Sequence, residues 1–554
     1  MKNYKLILVA ALVALAGCKK DDNPSPPTIY ICTAADLDAI RNNLSGNYVL
    51  MNDISLADYS DGEGWAPIGA YSDAPFNGKF DGNGHKITNL TINQFNENTN
   101  PLISQFYENF VGLFGYISGG SVNDLGVEIA VGEIKGYGYV GSIAGCIGCN
   151  SIITNCYSTG NISSSDYAAA FSCSGGIAGC VSMSSITNCY STGNIFSADS
   201  SDYFDAYSYA GGIAGMIEDN CSITNCYSTG NISSSAFSSF SGGIVGSIYN
   251  SSIANSYSTG DISSDSDFSH SVFATYSYSG GIAGESQGGS SITTCHSTGD
   301  ISSDADFSYS GGIVGSIYNS SIANCYSTGG IAANAATDYS DSYSGGIAGH
   351  IDNGSLANCY NIGDISSSYS YYFYSGGIAG MIEDRCSIIN CYNTGNISSS
   401  ASSPVSGGIV GGVYNSSIAN SYSTGDISSF YSYYSYSGGI AGSVSNSSIT
   451  NCAAINFTIN AGHAGRIVAY GSSGPISNNF ATNTMAATGT GQFNTSDLRF
   501  YGVSKTDEEL QTQSTYSDPP VGDGQGGLGW KFGNDDANPW KMPAGGGYPI
   551  LYWQ

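Results

Sequence analysis

The chain predicts an all-β fold, a parallel β-helix (solenoid) of about ten to eleven coils with short helical or loop caps. Three observations carry this reading. A phrase close to Ser-Gly-Gly-Ile-Ala-Gly keeps returning, with Gly-Gly pairs beginning at Gly175, Gly211, Gly242, Gly280, Gly311, Gly345, Gly376, Gly407 and Gly438. Five of the eight spacings are 31 residues and the others are 34, 36 and 38, a period that marks stacked supersecondary units. Within each period Ile and Val stand in short runs bounded by Gly, Asn, Asp and Ser, a strand-and-turn pattern with no room for a long helix. Aliphatic positions also align between periods, so stacking at about 4.8 Å per coil turns each into a column.

One unit, residues 174–197, illustrates the elements in order. Gly175 to Gly179 reads as a strand of small residues, Ser185 to Thr187 as a second, and Asn194-Ile195 as the opening of a third. Asn188 falls where the alternation breaks, so a bend there turns Ile186 and Cys189 both inward. Thr192-Gly193 supplies a turn. Three columns follow, headed by Ile177, Ile186 and Ile195, together with a column of asparagines from Asn155 to Asn451 that only Thr294 interrupts. Exposed strands at the helix ends require covers. Thr33 to Asp36 reads as a capping box before Leu37, Ile40 and Leu44 on one helical face. At the other end 507–513 reads as a short helix, and Trp530, Trp540 and Trp553 as material closing the last coil. The chain accordingly divides into a lipoprotein signal (1–18), a tether (19–28), an N-terminal cap with first coils (29–135), the repeat body (136–485) and a C-terminal cap (486–554).

The signal reading rests on Lys2 and Lys5, an apolar run from Leu6 to Ala16 too short to span a bilayer, and Leu15-Ala16-Gly17-Cys18, which resembles a bacterial lipobox. The resemblance implies acylation at Cys18. Lys19-Lys20-Asp21-Asp22 resembles the export signal of Bacteroidota-type lipoproteins, implying a lipid-anchored protein on the outer face of the outer membrane. The formal charge is −29, from 43 acidic and 14 basic residues, and Arg385 is the sole basic residue between Lys135 and Arg466. So few cations cannot neutralise phosphates, which excludes nucleic acid and disfavours anionic lipids and polysaccharides. Ser, Asn, Tyr and Gly supply the polarity and suit neutral glycans or protein surfaces.

The Gly-Gly-Ile-Ala-Gly and Asn-Cys-Tyr-Ser-Thr-Gly phrases resemble the GLUG repeat of bacterial surface proteins. The flanks share the resemblance, at Trp65-Ala66-Pro67-Ile68-Gly69, Phe80-Asp81-Gly82-Asn83-Gly84-His85, Val111-Gly112-Leu113-Phe114-Gly115, Gly529-Trp530-Lys531-Phe532-Gly533 and Gly547-Tyr548-Pro549-Ile550-Leu551. Such arrays occur in adhesin-like proteins and beside the peptidase domain of IgA-specific metalloproteases. The resemblance implies the fold and a surface role; it implies no active site, because the shared residues are scaffold residues.

Three sets of residues are candidate sites. Cys156, Cys189, Cys226, Cys295, Cys325, Cys359, Cys391 and Cys452 occupy one repeat position, and their exchange with Ser256 and Ser421 argues for a small buried side chain rather than a metal ligand or an obligatory bridge. Tyr157, Tyr190, Tyr227, Tyr257, Tyr326, Tyr360, Tyr392 and Tyr422 follow that column, with His296 at one rung. They either form a sugar-binding stripe or, the favoured reading, stack on one another and stiffen the wall. The aromatics two residues before each Gly-Gly pair, such as Tyr209, Phe240 and Tyr278, share parity with the Ile177 column and read as wall or core. Length variation concentrates just ahead of them, where tyrosine and serine mix in the manner of adaptable binding loops. The candidate binding residues are Tyr203, Tyr207, Tyr339, Tyr369, Tyr371, Tyr372, Tyr431, Tyr433 and Tyr434.

No His-Glu-x-x-His run is present, and a lyase would need basic residues that the repeat body lacks. Cys146 and Cys149 form a lone Cys-x-x-Cys without the partner pair of a zinc site, and Asp265/Asp267 and Asp304/Asp306 lack the Gly-rich acidic spacing of known calcium repeats, so no metal and no cofactor are expected. The expected function is adhesion or ligand capture by a monomeric surface lipoprotein whose partner is a glycan or a host or matrix protein. A glycan-active enzyme on the same scaffold, or a passive spacer, are the alternatives.

Overall fold

A computed structural model describes residues 27–94, 109–166, 171–199, 206–266, 274–335, 341–368, 372–429, 434–472, 474–488, 493, 498–521 and 526–554. The lipobox, Cys18 and the preceding signal lie outside the described residues.

The described chain winds as a parallel β-solenoid of about 13 turns. One coil shows the plan. Phe171–Gly175 forms the first face, Ala178–Ser182 the second and Ser185–Thr187 the third, while Tyr190–Ser191 and Ile195–Asp199 share the fourth. We call these the Gly-Gly, Ala-Gly, Ser-Ile and Tyr faces. Each strand pairs in parallel with the same segment of the next coil, as in Ser185↔Ser222, Ile186↔Ile223 and Thr187↔Thr224. The Ser-Ile sheet has 15 strands, from Thr28–Ile31 to Ile476–Ser477, and the Gly-Gly and Ala-Gly sheets have 12 each.

The coil count exceeds the expected ten to eleven because the flanks supply full coils that lack the repeat phrase. Phe80, Val122 and Ile476 all pair within the Ser-Ile sheet. The unit also has four faces rather than three strands. Gly-Gly-Ile is a corner, not a strand: pairing ends at Gly175 and resumes at Ala178, with Ile177 buried at the bend. A Cβ on Gly176 would meet the Gly212 carbonyl at 2.2 Å and Ser191 Oγ at 2.4 Å, so glycine is needed where the Tyr face approaches this corner from across the coil.

The three aliphatic columns are in place, with Ile177, Ile186, Ile195 and their equivalents all buried. Each such side chain contributes about 1.5–3 kcal/mol. A fourth column, Val181, Ile217, Ile248, Ile317, Ile351, Ile382, Val413 and Val444, lines the Ala-Gly face. Opposite it the interior is lined by serine, whose hydroxyls bond to one another; Ser264 meets both Ser277 and Ser279 at 2.6 Å.

Asparagine makes the bend after the Ser-Ile strand. Asn188 has φ 54°, in the left-handed region its short amide tolerates. Asn188 Nδ2 donates to Asn155 Oδ1 and Asn225 Nδ2 to Asn188 Oδ1, both at 3.0 Å. The ladder resumes with Asn358 donating to Asn324 at 3.1 Å and reaches Asn478, which donates to Asn451 at 2.6 Å. Thr294 holds the same backbone conformation, φ 55°, with a β-branched side chain and no amide. We expect Thr294→Asn to relieve that strain and to raise stability by about 1 kcal/mol, read as a higher urea midpoint.

The Thr33 capping box forms: Asp36 N donates to Thr33 Oγ1 at 3.2 Å, and Thr33 N to Asp36 Oδ2 at 2.9 Å. Leu37 and Ile40 close the N-terminal end of the core, with Leu44 packed against it. At the C-terminal end Phe493 and Phe500 pack on the core, while Val503–Lys505 pairs with the strand at Phe480. The helix expected at 507–513 forms over Asp507–Leu510. The tryptophans depart from expectation: they lie along the side of the rod, as described next.

Candidate functional site

Two files of stacked rings run along the outside. On the Tyr face, Tyr157, Tyr190, Tyr227, Tyr257, His296, Tyr326, Tyr360, Tyr392 and Tyr422 stack with centroids 4.7–5.1 Å apart and planes within 8°. The spacing is that of the rungs, so the backbone places each ring against the next. Ring faces are consumed by neighbouring rings, and edges and hydroxyls point outward. The preceding Cys column is buried, as its exchange with serine implied, and every described cysteine is free.

The second file stands on the Gly-Gly face. Tyr209, Phe240, Tyr278, Tyr309, Tyr343 and Tyr374 stack at 4.6–5.7 Å with planes within 13°. These rings are wall, not core. The hidden corner at Gly-Gly-Ile reverses the parity, and it is Ser208 and Ala210 that point inward beside Tyr209. An outer rank flanks them, in register through Tyr207, Ser238, Tyr276, Phe307, Asp341 and Tyr372. Tyr276 and Phe307 stack at 5.1 Å, and Tyr207 is 37% exposed.

Titratable groups border this band from the Ala-Gly face. Burial pushes the Glu285 carboxyl up to about 7. The Tyr278 phenol is raised well above its ordinary value by burial, with Tyr309 and then Glu285 adding to it. His350 packs against Tyr343 at 5.3 Å, and its Nε2 lies 3.1 Å from Glu383 Oε1, a bond that holds the Glu383 carboxyl low. Among the described residues no group of three or more His, Cys, Asp or Glu side chains is arranged to hold a metal ion.

Of the nine tyrosines singled out in the insert edge, Tyr207 and Tyr434 are described, and Tyr434 is 63% exposed. Tyr372 is placed by its backbone as the first residue of the strand Tyr372–Gly376. Tyr203, Tyr339, Tyr369, Tyr371, Tyr431 and Tyr433 lie outside the described residues. Tyr207 and Tyr372 thus open strands of the Gly-Gly face, the face that carries the second aromatic file.

The segment after Gly526 was unforeseen in its place. It lies along the Tyr face and covers the later rungs. Trp553 sits 5.4 Å from Tyr360 and 6.0 Å from Tyr326; Trp540 sits 6.0 Å from Tyr422 and stacks on Trp530 at 4.6 Å. The Tyr422 hydroxyl donates to the Pro549 carbonyl at 2.8 Å, and Trp530 Nε1 to the Asn451 carbonyl at 2.8 Å. Tyr360, Tyr392 and Tyr422 are accordingly buried, whereas Tyr157 to Tyr326 stay half-exposed. Three tryptophans near the C-terminus were the available signal; which surface they cover has no periodic trace.

The recurring corner, bend and turn match a known repeat over residues 206–233, 241–263, 275–302, 403–428 and 433–460. The chain carries the GLUG motif. Each matched stretch holds scaffold positions of one coil, such as Gly211, Ile213, Asn225 and Gly230 in the first. The chain is similar to part of a Gly-rich membrane protein of Evansella cellulosilytica, 35% identical over 133 residues, covering 21% of this chain and 14% of that protein. It is also similar to part of halomucin from Haloquadratum walsbyi, 33% identical over 126 residues, 21% of this chain and 1% of halomucin. The chain therefore spans a small fraction of the relatives it matches. Among solved structures, one from Bacteroides ovatus provisionally named an immunoglobulin A1 protease is 16% identical with a TM-score of 0.22, covering 95% of this chain and 93% of that one. An IgA1 protease is 14% identical with a TM-score of 0.21, covering 84% and 22%.

Proposed function

We infer that the protein is a surface-displayed binding rod, an adhesin or ligand-capture lipoprotein held to the outer membrane through Cys18. Its partner is a neutral glycan or a host or matrix protein, met along the Gly-Gly face and the insert edge beside it. The observation that carries this reading is the aromatic band: a stacked file from Tyr209 to Tyr374, flanked by exposed Tyr207 and by serines, with Glu285, His350, Glu383 and Asp341 beside it. Such a surface offers ring edges and hydrogen bonds without demanding a charged ligand. The names given to the relatives, a Gly-rich membrane protein and halomucin, support surface display.

A screen of residues 29–554 against glycans and matrix proteins tests the reading. Replacing Tyr207, Tyr276 and Tyr434 together by Ser should weaken the bound ligand by about tenfold or more, since aromatic anchors dominate such interfaces. Unchanged affinity would remove this band as the site. One observation favours a second reading, a glycan-active enzyme: Glu285, a carboxyl titrating near 7 beside tyrosines, has the character of a general acid. Release of new reducing ends from a neutral polysaccharide, lost in Glu285→Gln, would establish it.

A further inference from the structure

The Tyr face is one repeating surface in two states. Its later rungs carry an occupant, the chain's own segment 528–554, and its earlier rungs carry none among the described residues. The covered part shows how this surface is gripped. Tryptophan rings meet the tyrosine file at 5.4–6.3 Å with interplanar angles of 28–47°. Phenol hydroxyls are satisfied by polypeptide groups: Tyr422 by the Pro549 carbonyl, Tyr392 by the Gln554 side-chain amide at 2.5 Å. The segment is rich in glycine and proline and folds back on itself as a strap, with Trp540 paired antiparallel to Leu551 and Lys541 to Ile550.

We propose that the open rungs from Tyr157 to His296 are a docking surface for a polypeptide of the same kind, tryptophan-bearing and rich in glycine and proline. Three observations select this occupant. The open rungs continue the covered interface, with the same residue, register and ring spacing. On the covered rungs the phenol hydroxyls of Tyr422 and Tyr392 meet polypeptide groups, the Pro549 carbonyl and the Gln554 side-chain amide, and the open rungs offer the same hydroxyls. Trp553 reaches Tyr326 at 6.0 Å, so the covered interface ends on the rung next to His296 and borders the open ones without a break. This surface lies on a different face from the aromatic band proposed above and does not depend on it.

The test uses the full chain as bait for a displayed library of random 15-residue peptides, with a panel of neutral oligosaccharides in parallel. Two variants read the site. Tyr190→Ser/Tyr227→Ser/Tyr257→Ser removes three rungs. Thr192→Glu/Thr229→Glu/Thr259→Glu leaves every ring in place and sets charge on exposed positions two residues further along. Selected peptides should carry Trp with Gly or Pro and lose at least tenfold in affinity to both variants, while the Tyr207/Tyr276/Tyr434 variant binds them as the parent does. The proposal falls if no peptide distinguishes the parent from the glutamate variant, or if oligosaccharides, not peptides, are what these variants lose.

Discussion

Gly312→Ala should destabilise the rod by about 3 kcal/mol or more, a large effect for one methyl group. The added Cβ would stand 2.0 Å from the Gly346 carbonyl oxygen and 2.4 Å from Ser327 Cβ. Neither can yield: the first is backbone of the next rung, and the second is the inward side of the Tyr face. The contact recurs up the molecule, at Gly212 against Ser228, Gly243 against Ser258 and Gly281 against Ser297. The lesion therefore parts two adjacent rungs, and in a solenoid, where each coil touches only its neighbours, it weakens the stack at that joint. Urea denaturation followed by circular dichroism measures the loss, and hydrogen exchange should place it around residues 311–347. Gly545→Ala is the control. Its Cβ would meet nothing within 4 Å, so a change under about 0.5 kcal/mol is expected. If the two substitutions cost the same, the corner is not a steric joint.

That corner also marks where the sequence stopped being legible. Columns of Ile, Asn and Cys are visible in a single chain because a period multiplies each signal by the number of coils, and the structure holds all three. A strand and a tight corner of small residues look alike in one dimension, so Gly-Gly-Ile passed for a strand. The misreading then carried forward: with one bend uncounted, the parity of Tyr209 and its equivalents was reversed, and a wall file read as core or wall. The strap is a different failure. Trp530, Trp540 and Trp553 occur once each, and their partners Tyr422 and Tyr360 lie well over a hundred residues upstream, a separation no local pattern records. Nor could composition divide the tyrosine file into open and covered rungs, since Tyr227 and Tyr392 stand in the same repeat phrase.

The Glu285 carboxyl makes the second large prediction, one that depends on pH. Its folded value, pushed up to about 7 by burial, lies above the ordinary 4.5. Between those values the folded chain keeps a proton that the unfolded chain has released, so stability from this group is complete below about pH 4.5 and is lost as pH rises through 7. The full loss is about 3 kcal/mol. Glutamine keeps the shape of the protonated acid and never ionises. Glu285→Gln should thus match the parent at pH 4 and exceed it at pH 8 by about that amount, seen as urea midpoints that diverge only in the alkaline arm. An equal gain at both values would mean that the side chain matters for packing and not for its charge. The equivalent positions on the neighbouring rungs, Ser247 and Ser316, are neutral, so the scaffold itself has no need of an acid there. Glu285 lies beside the tyrosines of the proposed binding band, and the same variant assayed for binding tests whether this carboxyl also meets a ligand.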